Sequence, residues 1–99
     1  MIQSIDTIAD VQTFIEEVAQ EIHDFHPLRE FQDYVFPESY HRRYSEEQAD
    51  IRNKLLDRCF DICAMEGIED FFTYLLNLFQ LTRYELARTG TEEMLLSLT

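Results

Sequence analysis

Two glycines and two prolines in 99 residues constrain this chain more than any other feature. A sandwich or barrel of many short strands turns every few residues, and its turns rely on Gly and Pro for backbone angles that other residues resist. With so few of them the chain is read as helical. A hydrophobic content of 45%, with 13% aromatic residues, is too high for a segment that stays disordered for want of apolar surface. Ninety-nine residues leave room for one core, hence a single domain over residues 1–99.

Hydrophobic spacing then locates the helices. Ile8, Val11, Ile15, Val18, Ile22 and Phe25 follow one another at intervals of 3, 4, 3, 4 and 3, which predicts a helix over residues 7–25 with one apolar face. Thr7 and Asp10 form a capping-box-like start. Ser45 with Gln48 opens a second well-signalled helix, Glu46 and Glu47 suit its positive end, and Gly67 is placed to close it in left-handed geometry. Its stripe of Ile51, Leu55, Cys59 and Ile62 is widened by Leu56, Phe60 and Cys63, enough to touch two neighbours. Cys59 and Cys63 are four apart on that helix, where side chains run parallel and do not meet as a disulfide, so two reduced thiols in the core are expected.

A further helix is expected from Glu69 to about Arg88, ending near Gly90. Its segment FFTYLLNLFQL is apolar at eight of eleven positions. Thr73, Asn77 and Gln80 are spaced 4 and 3 and form a stripe without charge, the pattern of a helix enclosed by its neighbours or by a second copy of the chain. After Thr91, the residues Met94, Leu95 and Leu98 are expected to make a last docking turn.

Residues 23–44 hold all three histidines, both prolines and six of the thirteen aromatic residues. Pro27 and Pro37 push His26 and Phe36 out of helical geometry, so this stretch is a jointed connector with a short helix starting at Leu28. The fold expected is all-α: a compact bundle of four main helices, with that connector between helices 1 and 3.

The formal charge is −12, which opposes binding to nucleic acid or to an anionic membrane surface. No basic segment followed by an apolar one opens the chain, and no apolar run reaches the roughly 18 residues that span a membrane, so a cytoplasmic protein is expected. Residues 1–25 carry −6 and residues 45–70 carry −5, so the negative charge lies on the first and third helices. Side by side, they would join Asp10, Glu17, Glu21 and Asp24 to Asp50, Asp57 and Asp61 in one anionic face suited to a protein with a basic or apolar surface. On the connector, Tyr40, His41 and Tyr44 form a candidate contact patch, Tyr being a residue type that dominates binding hot spots.

Metal sites are weighed from the same residues. His23 and His26, three apart, would need Glu30 and Asp33 to fold back and complete a divalent site. Glu16, Glu17, Glu47 and Asp50 offer a second set, able to hold Mg²⁺ between adjacent helices. These motifs, Glu-Glu at 16–17 and Glu-x-x-Asp at 47–50, resemble those of the all-helical nucleotide pyrophosphohydrolases of the MazG type. The resemblance implies Mg²⁺-dependent hydrolysis at those four carboxylates. Gln20 stands where that family has its last Glu, and Glu21 is about 100° further round the helix. Glycine-flanked serines, glycine-rich phosphate loops and Cys–His motifs are absent from the sequence. The function expected is therefore that of a non-enzymatic, regulatory or inhibitory protein-binding module without a cofactor, with homodimerisation through the fourth helix as a further expectation and a structural homo-oligomeric subunit as another alternative.

Overall fold

The computed structural model describes residues 1–34 and 44–97, with side chains over 1–33 and 44–89. Among the described residues the protein is all-helical: α1 (Ile8–Glu21), α2 (Glu46–Met65) and α3 (Phe71–Ser97), with a 3-10 helix at Phe31–Tyr34 between α1 and α2. Three main helices stand where four were expected. The differences arise at three places, each with a physical cause.

The first is the end of α1. Its start is as expected: the Thr7 hydroxyl accepts from Asp10 N at 3.2 Å, and the Asp10 carboxylate accepts from Thr7 N at 3.1 Å. Asp therefore completes the reciprocal box in place of the longer Glu. The helix stops at Glu21 rather than at residue 25, and Ile22 is extended at φ −134°, ψ 158°. Arg83 of α3 donates to Ala19 O at 2.8 Å and so occupies one of the carbonyls a helix end leaves open. Ile22 and Phe25 are still buried, at 0% and 4% exposed. An apolar pair three apart satisfies the core from an extended segment as well as from a helix.

The second is the connector, where the expected short helix is a single 3-10 turn. Phe31 is fully buried and is surrounded by the rings of Phe14, Phe25 and Tyr44 at centroid distances of 6.3, 6.0 and 5.7 Å. Asn53 of α2 holds this turn: its Oδ1 accepts from Phe31 N at 2.7 Å, and its Nδ2 donates to Gln32 Oε1. These tertiary bonds take the main-chain donor that a longer helix would use internally.

The third is Gly90. A glycine inside a helix costs about 1 kcal/mol relative to Ala, too little to stop one by itself. Termination needs a left-handed residue with bonds back to the last turn, as at Gly67: φ is +77°, Gly67 N donates to Ala64 O at 3.1 Å, and Ile68 N to Cys63 O at 3.0 Å. No other described residue has positive φ, and α3 continues through Gly90 to Ser97. The expected docking turn after Thr91 is part of this helix; Leu98 lies outside the described residues.

Helix α2 keeps its expected bounds, with Ser45 and Gln48 closing the capping box. Asp70 caps α3 by accepting from Thr73 N at 3.0 Å. Arg52 meets Glu21 at the far end of α1 and Arg58 reaches Ile5 O at 2.9 Å ahead of its start, so α2 runs antiparallel to α1. Gln12 meets Tyr74 at 3.4 Å and Ala19 meets Arg83, so α3 runs parallel to α1. The central helix is thus α1, with Val11, Phe14, Ile15, Val18 and Ala19 all at 0% exposure. Against it lie Leu55, Leu56, Cys59, Ile62 and Cys63 of α2 and Leu75 and Phe79 of α3. Both cysteines are reduced and buried, and desolvation pushes the Cys59 thiol up to about 12, with Cys63 beside it adding to the rise. No helix among the described residues is long and apolar enough to cross a membrane.

Candidate functional site

The antiparallel packing of α1 and α2 decides what becomes of the predicted anionic face. On α1, most of its acids are used inside the fold. Asp10 caps its own helix, and N–H bonds, that of Asp6 first, hold its carboxyl below the ordinary value of 3.8. Glu17 accepts from Ile2 N with both oxygens, at 2.9 and 3.1 Å, and ties the N-terminal segment down. Glu21 takes Arg52 with both oxygens, from Nε at 2.9 Å and from Nη2 at 3.2 Å. Asp24 is exposed, beyond the end of α1.

Arg52 organises this border. Its side chain is 11% exposed, it also donates to Gln48 O at 3.0 Å, and its guanidinium lies 4.4 Å over the Tyr44 ring. A cation over an aromatic face is attracted by the ring quadrupole. Tyr44 is only 3% exposed, so it belongs to the core and not to a contact patch. Burial pushes its phenol well above the ordinary range, and Glu21 beside it adds to the rise. Tyr40 and His41 lie outside the described residues.

On α2 the acids point out. Asp57 and Asp61, one turn apart, are exposed, as are Glu46 and Glu47. Asp50 pairs with Lys54 at 2.9 Å, both well exposed, a contact of small energetic weight. Beside this row runs a groove of about 470 Å³ between α2 and the connector. Leu56 and Phe60 line it from α2 and Pro27 and Leu28 from the connector, with Asp50, Asp57 and Glu30 at its edges and Arg29 among them. Leu28 is 75% exposed, the most exposed large apolar residue described. Asn53, which clamps the 3-10 turn, also lines the groove and so fixes its width.

Sequence reasoning named Asp50 and Asp57 here but missed Leu28, Leu56 and Phe60. Leu28 carried a signal, an isolated apolar residue in HPLRE; Leu56 and Phe60 carried none, because they read as core stripe.

No group of three or more His, Cys, Asp or Glu among the described residues is placed to hold a metal ion. The set Glu16, Glu17, Glu47 and Asp50 is therefore not brought together: Glu17 holds the N-terminal segment, Glu16 lines the boundary with α3, and Asp50 pairs on the outer side of α2. His23 and His26 are likewise used elsewhere and do not converge with Glu30 and Asp33. His23 meets Arg83 through Nδ1. His26 Nδ1 accepts from Leu28 N at 3.4 Å, and its ring packs 5.1 Å from that of Phe72. No known protein-family model, curated protein or solved structure matches the chain.

Proposed function

We propose that this protein acts by binding a basic protein surface, without chemistry of its own. The groove between α2 and the connector carries this reading: exposed apolar surface from Leu28 and the groove-lining Phe60 lie directly beside Asp50 and Asp57. Outward carboxylates raise the encounter rate with a positive partner and select against negative ones. Apolar surface next to them supplies the desolvated contact that charge alone does not. A target that grips phosphates would meet carboxylates in their place, which makes the protein a regulatory or inhibitory decoy.

The test is a pull-down with the full chain from a lysate of its native host, at low and high salt, with captured proteins identified by mass spectrometry. A basic, nucleic-acid-handling protein should be retained by the wild type and by chelator-treated samples. High salt should release it, and a variant with Asp57→Asn and Asp61→Asn should lose it. Identical capture by that variant, or capture that a chelator abolishes, would overturn the reading.

A further inference from the structure

The face of α3 turned away from α1 and α2 is independent of that groove and differs from it in charge. Thr73, Asn77, Gln80 and Tyr84 are exposed along it at intervals of 4, 3 and 4, the seam spacing of paired helices. Leu81, 61% exposed, flanks them, Tyr84 is 64% exposed, and this face carries no acid from Thr73 to Tyr84. The stripe expected to be enclosed is therefore open in the single chain. Two copies that each carry −12 repel strongly, and an acid-free face is where that repulsion is least.

We propose that this face pairs with the same face of a second copy, antiparallel, about a two-fold axis between Leu78 and Phe79. The sequence is self-complementary about that point. Asn77 comes level with the partner's Gln80, and Thr73 with the partner's Tyr84, the layering of an antiparallel helix pair. Asp70 and Arg88 are 18 residues apart, about five turns, and so lie on one side of the helix. The two-fold sets each Arg88 within about one residue's rise of the partner's Asp70, twice per dimer. Parallel pairing would instead set Arg88 against Arg88 and Asp70 against Asp70. Arg88 also bonds Glu85 at 2.7 Å in its own chain, an exposed pair of small weight, and its five N–H donors serve both acids.

The experiment is light scattering of the full chain over a dilution series, together with single-cysteine cross-linking by a short bifunctional thiol reagent. At 1.5 Å per residue, the two Gln80 positions are about 5 Å apart along the axis and the two Tyr84 positions about 17 Å. Gln80→Cys should therefore link to itself, Tyr84→Cys should not, and a mixture of Thr73→Cys with Tyr84→Cys should link. Native Cys59 and Cys63 are buried and do not compete. Tyr84→Glu, on an exposed position, should leave the helical spectrum intact and weaken dimerisation about tenfold or more, because it replaces a ring layered on the partner's Thr73 by a carboxylate that loses solvent there without a partner, twice per dimer. A chain that stays monomeric at every concentration, self-linking of Tyr84→Cys as fast as of Gln80→Cys, or an unchanged dissociation constant for Tyr84→Glu would each overturn the proposal.

Discussion

Helices α1 and α2 are both rich in acids, yet the fold uses them in opposite ways. On α1, Asp10, Glu17 and Glu21 are bound to backbone N–H groups or to Arg52. On α2, Asp57 and Asp61 stand exposed on the outer side. The cause is position. As the central helix, α1 has neighbours on two sides, and its acids sit on the borders where other segments bring donors. Helix α2 presents one side to the core and leaves the other to solvent. A carboxylate's role is therefore set by how many neighbours its helix has, and the count of acids does not reveal it.

The sharpest way to break this comparison is to remove charge on each side of it. Arg52→Ala strips Glu21 of both bonds it receives from Arg52, and Tyr44 of its cation. It should cost about 2–3 kcal/mol in urea unfolding, because a half-buried charge loses its partner. Asp57→Asn and Asp61→Asn, by contrast, should change stability by no more than about 0.5 kcal/mol. Equal effects on the two sides would mean that the division between structural and displayed acids is wrong.

A smaller effect sharpens the same division at the groove. Asn53→Ala removes the acceptor for Phe31 N and the donor to Gln32. The expected loss is about 1–2 kcal/mol, the cost of leaving a partly buried donor unmade. Hydrogen exchange at the Phe31 amide should rise more than that of α1, since the connector opens while the central helix stays packed. Uniform acceleration throughout would show that the clamp belongs to the global core.

The smallest expected effect is acid sensitivity at the caps. N–H donors, led by those of Asp6 for Asp10 and of Thr73 for Asp70, lower both carboxyls below their ordinary 3.8. A group depressed in the folded state contributes stability that is present above its unfolded value and fades as pH falls through 3.8 towards the folded value. Asp10→Asn and Asp70→Asn should each make the decline of the melting temperature with acid shallower than in the wild type. An unaltered slope would remove the caps from the account.

Local chemistry was legible in the sequence wherever a short motif carries its own partner. Thr7 with Asp10, Ser45 with Gln48, and Gly67 each bring donor, acceptor or backbone freedom within a few residues, and each formed as expected. Ile22 and Phe25 show where this stops, since their spacing fits a helix but their burial is met by extended chain. Phe14, off the seam yet at 0% exposure, shows that the central helix is buried on a wider arc than one stripe. In the candidate groove, Asp50 and Asp57 were legible because an acid on the polar side of an amphipathic helix stays outside. Leu56, Phe60 and Leu28 were not, because a groove is made by two segments meeting.

By itself, then, the sequence determined the helical class, the two capping boxes, the left-handed stop at Gly67 and the reduced cysteine pair, all of which depend on residues within about a turn of each other. Only the tertiary structure decided where α1 ends, that the connector forms a 3-10 turn at Phe31, that Tyr44 is core, and which carboxylates remain outward. Those outcomes depend on Arg52, Asn53 and Arg83 reaching across from other helices. Contacts between residues 20 to 60 or so positions apart form only once the helices have packed, and no local pattern encodes them.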